Sequence, residues 1–489
     1  MSESLAGNSH EIKGYTVATR VFGRDENFDQ AIDPIVSIQA NKLRRSLERY
    51  YLLSGKNDVI HIDIPKGTYV PVFRKQESAP ATPAPRRSSD PAPQFDNFGP
   101  TILINPFQNL TGQPGADHWG IGFATEIANE INRCKWISVQ QYSPQGTWRR
   151  SSDAGARFII DGSFRNDQDG IKVVVSLLDT KSNKHIWSDS QRFENGLTKI
   201  IAFQEKVASV VGTMVAGEQG IITKTLFSET IGKHPSRLKT YEALLYYHHY
   251  DQTLAPEDFV KAFEILQKAR ENEPGCGQVW SFLARLYANI YSLEIPGFDL
   301  DESGRKALEY AEEGARLNPD DQGTRSILAL IRLFTDDLIP ARRDINLAYA
   351  LNPNSLLMMD GIGYIKTLLG EWIEGPALIR KVISLNPYYK TVVHYALWAD
   401  CLRRHDFQSA YLETTELRRP AVFWYPLAKT STLGLLGRIE EGKRFADDLL
   451  QLKSDFPERG RILIGRYIKF KEILDLVVEG LSRVGVDIE

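Results

Sequence analysis

Residues 280–287 read Trp-Ser-Phe-Leu-Ala-Arg-Leu-Tyr, with Trp280, Leu283, Ala284 and Tyr287 at helical spacing. Working outward, prolines punctuate the chain on both sides. Pro274, Pro319, Pro353, Pro387, Pro420 and Pro457 are expected to close successive helical segments, at steps of 45, 34, 34, 33 and 37 residues. The long first step holds an insertion, Tyr291 to Asp301. Small residues precede the stops: Ala262 and Ala269, then Ala307, Ala311 and Gly314, then Ala341 and Ala348. Two helices that cross closely need small side chains there. Three copies of Leu-Asn-Pro, at Leu317, Leu351 and Leu385, repeat the same stop. A fixed period distinguishes a repeat array from a generic helical bundle.

A 34-residue helix–turn–helix unit resembles the tetratricopeptide repeat, and Trp280 to Tyr287 matches its first-helix pattern with Ala284 at the small position. The resemblance implies an all-α solenoid over residues 237–489, whose concave surface would bind a protein or peptide. The other boundaries expected are a module at 1–75, a linker at 76–97 and an α/β domain at 98–227. In the linker, QESAPATPAPRRSSDPAPQFDN, five prolines fall between Pro80 and Pro93, which predicts a stiff extended segment.

In the first module Pro34 opens a predicted helix. Val36, Ala40, Leu43, Leu47 and Tyr50 share one face, and Ser37, Asn41, Lys42, Arg45 and Arg49 share the other. Val59–Ile64 and Tyr69–Phe73 read as a β-hairpin with Pro65-Lys66-Gly67-Thr68 at its tip. Residues 35–47, Lys66 to Tyr69 and Val21-Phe22-Gly23 resemble the end of an OmpR-type winged helix-turn-helix. That resemblance implies binding of double-stranded DNA, with Asn41 and Arg45 at base edges and Lys42, Arg49 and Lys66 on phosphates. The family module starts with a small sheet and a first helix. Here at most ~10 residues precede the supporting helix, so either the module is trimmed or the true start lies upstream of Met1.

The middle segment predicts a strand at Thr101–Phe107, a helix at Phe123–Ile131 and a strand at Phe158–Phe164. A turn at Asp167–Gly170 leads to strands at Ile171–Leu178 and His185–Ser188, then a helix at Ile200–Val215. Ile102-Leu-Ile-Asn-Pro-Phe107, Ile160-Asp-Gly162 and His185-Ile-Trp187 resemble the TolB-like α/β domain. The whole order resembles the CadC-like regulators and the non-catalytic half of adenylate-cyclase-like proteins, whose closing segment is similar to Tyr467–Gly485. The expected architecture is therefore multidomain α+β: trimmed winged-helix-like head, TolB-like domain, helical solenoid. The expected function is a non-enzymatic, DNA-binding transcriptional regulator with a sensing repeat domain. A cytoplasmic interaction scaffold is the alternative.

Composition bounds these readings. The chain has 489 residues, room for about three domains. A net charge of −3, from 59 basic and 62 acidic residues, leaves any nucleic-acid contact to a local patch. Three scattered cysteines, Cys134, Cys276 and Cys401, exclude a disulfide framework and fit a reducing compartment. Without a signal-like leader or a long apolar run, a cytoplasmic protein with no membrane partner is expected. No catalytic, cofactor or metal constellation is expected. Gly120-x-Gly122 lacks a third glycine, and no stretch long enough for a cyclase domain is left over. His248 and His249 point ~100° apart on a helix, which disfavours shared metal ligation. Asp161 and Asp179 read as turn or backbone-bonding residues. The cysteines read as buried thiols, and Trp280, Trp372 and Trp398 as repeat core.

Overall fold

The computed structural model describes residues 12–25, 29, 35–37, 39–40, 43–44, 47, 60–65, 68–75, 99–134, 136–141, 155–167, 170–193, 200–234, 238–353, 355–386, 389–417 and 422–489. Two compact units divide the chain: Met1–Gln94 with Asn346–Pro353, and Phe95–Ile345 with Asn354–Glu489.

In the first unit, α1 (Gly14–Phe22) stops where Gly23 takes a left-handed conformation, φ 61°. That geometry favours a residue without Cβ. Strands β1 (Ile60–Asp63) and β2 (Val72–Lys75) pair antiparallel, so the expected hairpin is present. Its loop is held by Arg44, which donates to the carbonyls of Ile64 at 2.7 Å, Pro65 at 3.2 Å and Thr68 at 2.7 Å. Ser37 Oγ and Tyr69 Oη lie 3.1 Å apart. The apolar face read over Val36–Tyr50 is only partly realised. Val36 is buried, but Leu43 is 44% exposed. The linker at 76–97 lies outside the described residues.

The second unit opens with a mixed sheet, ordered β5-β3-β6-β7-β8 with β4 also on β6. Its strands are β3 (Thr101–Ile104), β4 (Gln108–Asn109), β5 (Ser138–Gln141), β6 (Phe158–Asp167), β7 (Gly170–Asp179) and β8 (Lys184–Phe193). Strand β3 runs parallel to β5 and β6, whereas β6, β7 and β8 form an antiparallel meander. Along β7 every second residue is buried: Ile171, Val173, Val175 and Leu177. This alternation is the strand period of two. Strands β4 and β5 are additional to the sequence expectation; each is short and mostly polar, and pairing with neighbours makes it a strand. Helices α2 (Asp117–Ile131) and α3 (Ile200–Ala216) pack together beside the sheet. Phe123 stacks on Phe107 at 5.5 Å and meets Phe203 edge-on at 5.9 Å. Phe107 fits because a Cβ on Gly162 would lie 2.4 Å from its ring, and one on Gly120 2.1 Å from its carbonyl oxygen. Gly120 therefore serves packing.

Helix α4 (Ile221–Thr230) leads to an all-helical region. Its members are α5 (Thr240–Thr253), α6 (Pro256–Asn272), α7 (Gly277–Leu293), α8 (Leu300–Leu317), α9 (Gln322–Phe334), α10 (Leu338–Leu351), α11 (Met359–Leu368), α12 (Glu374–Leu385), α13 (His394–Arg403), α14 (Phe407–Thr415), α15 (Trp424–Leu435), α16 (Ile439–Leu452), α17 (Phe456–Gly465) and α18 (Lys471–Val484). The chain is thus a mixed α+β protein with a helical C-terminal region. Ala262, Leu266, Ala307, Ala311, Ala341 and Ile345 are at most 1% exposed, as their small or branched shapes at helix crossings require. Pro274, Pro319 and Pro353 follow helix ends as expected. Pro457 does not: it stands in the first turn of α17, where a missing N–H costs nothing. Pro387 and Pro420 lie outside the described residues.

Within the second unit the sheet region and the helices join through buried polar contacts. Ser355 Oγ bonds the Glu130 carboxylate, the Leu356 N–H donates to Ser209 Oγ at 3.1 Å, and Tyr246 Oη donates to the Thr230 carbonyl at 3.2 Å. Ile200–Thr230 is long and apolar enough to cross a membrane, contrary to the reading of short apolar runs. It is two helices, α3 and α4, interrupted at 217–220, and 67% of its most apolar window is buried in the protein.

Candidate functional site

Alternate helices of the array, α5, α7, α9, α11, α13 and α15, line a cavity of about 160 Å³. A single water needs only ~10–15 Å³. The lining keeps the step read from the prolines. Leu330, Tyr364 and Trp398 stand 34 apart, as do Ile327, Gly361 and Tyr395. Stacked helix pairs repeat each inward position with their own period.

Two elements from distant parts of the chain border this space. On one side the segment before α18 crosses back to α7 and α9. Tyr467 Oη lies 2.8 Å from Ser292 Oγ, Arg466 donates to the Tyr291 carbonyl at 2.5 Å, and Lys469 Nζ reaches Asp336 at 2.7 Å. The Tyr467 ring lies 4.5 Å from Phe334 and 4.8 Å from Trp424. On the other side Glu218, from the turn between α3 and α4, pairs with Lys390 at 2.5 Å. Lys390 also pairs with Asp251 at 3.0 Å.

These charges are unequally satisfied. Burial pulls the Lys390 pKa down, but Asp251, Glu218 and Asp360 outweigh it and hold the value well above the ordinary lysine range. Burial, reinforced by Glu218, raises the Asp360 carboxyl, although it accepts the Gly361 N–H at 2.7 Å and the Lys390 N–H at 3.3 Å. Arg285 has a different environment. Burial opposes its charge, yet Tyr247, Tyr467, Asp251 and Tyr250 keep its pKa raised. Its hydrogen-bond acceptor is the neutral Asn289 Oδ1, and its guanidinium lies 5.8 Å over the Phe334 ring. Among the described residues no carboxylate forms an ion pair with it. Trp424 is buried, and its indole N–H has no acceptor among the described residues. Two hydrogen-bond donors with spare capacity thus border an aromatic cavity.

Asn41, Lys42, Arg45, Arg49 and Lys66, read as DNA contacts, all lie outside the described residues. Their described neighbour Arg44 is spent on the hairpin loop. His248 is buried, whereas His249 stacks on Phe227 at 4.3 Å and meets Asp258 at 3.3 Å. Burial raises the Cys276 and Cys401 thiols to about 11, which keeps them protonated. Asp179 pairs with Arg157 and caps the following turn through the Lys181 N–H at 2.8 Å. Asp161 accepts from Asn105 at 2.7 Å. Trp398 is 1% exposed and donates to Thr432 Oγ1 at 2.8 Å, but it also borders the cavity.

Sequence reasoning missed Glu218, Asp251, Arg285, Asp360, Lys390, Trp424 and Tyr467. Stepping the 34-residue period inward from Trp398 would have found Leu330 and Tyr364. Nothing local marks Glu218 or Tyr467 as site residues, because Lys390 and Ser292 stand 172 and 175 positions from them in the chain.

No protein-family model matches the chain. Over 168 residues the chain is 24% identical to "Putative adenylate cyclase 3" of Rhizobium meliloti (strain 1021), a match covering 32% of this chain and 27% of that protein. The chain thus spans about a quarter of that relative's length. Among solved structures, the PelC L103M dodecamer of Paraburkholderia phytofirmans is similar at 18% identity and a TM-score of 0.19, over 24% of this chain and 88% of that one. A second PelC dodecamer from the same organism gives 17% identity and a TM-score of 0.19.

Proposed function

We propose that this protein is a non-enzymatic regulator in which the helical region senses a small ligand and the head engages double-stranded DNA. The observation that carries the sensing role is the cavity lined by successive helices, with unsatisfied donors at its wall. The head reading draws support from the hairpin β1–β2 and from the short helix α1 that ends at Gly23. In this reading the head is a trimmed winged helix, the sheet domain is TolB-like and the helices are tetratricopeptide repeats. The 34-residue spacing of the lining supports the last assignment. The surface of the helical repeats would bind a protein or peptide, and the protein would work in the cytoplasm.

The intact protein is expected to bind duplex DNA with strong salt dependence. Arg45→Ala with Arg49→Ala should weaken binding and lower the salt slope by about 1–2. Absence of salt-dependent binding in the intact protein refutes the DNA role. It leaves the interaction scaffold as the alternative reading. Cyclic AMP formation from ATP and Mg²⁺ by the purified chain is expected to stay at background, and clear turnover refutes the non-enzymatic reading.

A further inference from the structure

We infer that the cavity takes a small apolar molecule bearing one carboxylate, bound with its acid group on Arg285 and Trp424 and its apolar body among the aromatic rings. This rests on reading the cavity as the sensing site and names the ligand class. Three observations lead to it.

The first is the mismatch between Arg285 and its surroundings. A guanidinium carries five N–H donors. Here its acceptor is one neutral amide oxygen. Buried arginines are ordinarily paired, because an unpaired charge away from bulk water is costly. Elsewhere in this chain that rule holds: Arg332 pairs with Asp344 and Arg157 with Asp179.

The second is Trp424. A buried indole N–H without an acceptor costs the desolvation of that donor. Arg285 and Trp424 both neighbour Tyr467, one electrostatically and one by ring contact at 4.8 Å. Both missing partners are acceptors, and a carboxylate offers two oxygens to satisfy them. A guanidinium and a carboxylate also match in plane and fork.

The third is the charge already present. Lys390 is occupied by Glu218 and Asp251, so it does not compete for the ligand acid. Glu218 and Asp251 carry two charges against the one of Lys390, and Asp251 also lies in the field of Arg285, so two cations balance the two carboxylates and no surplus anion recruits a cationic ligand. Asp360 is occupied by the Gly361 and Lys390 N–H groups. The rest of the lining, including Phe282, Tyr364 and Trp398, suits an apolar or aromatic body.

The test uses three probes of one shape and different charge: 3-phenylpropanoate, 3-phenylpropanamide and 3-phenylpropylammonium. Each is titrated into the full chain by calorimetry, with tryptophan emission as a second readout. The carboxylate is expected to bind and the other two to bind at least about 10-fold more weakly. Arg285→Met should weaken the carboxylate about 10-fold or more and Arg285→Lys less, since lysine keeps the charge and loses the fork. Trp424→Phe keeps the ring, removes the N–H and should cost about threefold, so it tests the proposal even if Arg285→Met unfolds. Equal or tighter binding of the amide or ammonium overturns the carboxylate class while leaving the cavity as a ligand site. Unchanged carboxylate affinity in both Arg285→Met and Trp424→Phe overturns it as well. Silence of all three probes in both readouts overturns the cavity as a sensing site.

Discussion

Glu294→Gln is expected to lower the stability of the second unit by about 3 kcal/mol at neutral pH. Glu294 sits just past α7 with its side chain only 6% exposed. Its carboxylate receives Arg459, Lys453 at 3.2 Å and Arg466 at 3.1 Å. Removing this anion leaves Arg459 and Arg466 without it and Lys453 with Asp455 alone, at 3.2 Å, which is why the loss exceeds that of an isolated surface pair. The pH dependence has a definite sign. Burial raises the carboxyl, but the hydrogen bonds and charges of Arg459, Lys453 and Arg466 win and hold its pKa below the ordinary 4.5. A carboxylate depressed on folding stabilises the protein above its unfolded pKa, and the gain fades as pH falls through the folded value. The gap between wild type and variant should therefore be level above about pH 5 and narrow as pH falls below the ordinary glutamate range. Denaturant midpoints across that range check it. An unchanged midpoint at pH 7 refutes the clamp.

Gly480→Val is expected to cost about 3 kcal/mol or more and to loosen the C-terminal segment first. Helices α15 and α18 meet backbone to backbone. A Cβ on Gly480 would lie 2.0 Å from the Ser431 carbonyl oxygen, and one on Gly434 would lie 1.9 Å from the Gly480 carbonyl oxygen. Backbone cannot swing aside as a side chain does, so the helices must separate. Because Tyr467 enters the cavity from the segment before α18, the same change should expose the cavity wall. Amide exchange should rise over residues 466–484 before it rises in the sheet. Gly465→Ala is the control, since nothing lies within 4 Å of its Cβ position, and it should stay within about 0.5 kcal/mol of wild type. Equal exchange in Gly480→Val and wild type refutes the close seam.

Much of this architecture is legible because it is local. The β7 alternation from Ile171 to Leu177 and the apolar spacing from Phe123 to Ile131 each state an element type. The recurring Leu-Asn-Pro stops set the helical period. Pro457 misled because proline is equally at home after one helix and in the first turn of the next. Strands β4 and β5 escaped because two to four mostly polar residues carry no period, and partner strands supply their hydrogen bonds.

What local pattern determined, then, is element type, a helical repeat step and which small residues sit at crossings. These follow from side-chain shape and from each residue's neighbours within one or two turns. The tertiary structure alone decided the site. Lys390 meets Glu218 from 172 positions earlier. Tyr467 meets Ser292 across a separation of 175. Such contacts join segments that lie far apart in the chain. Their register depends on how many successive helices pack together, and no single segment encodes that sum.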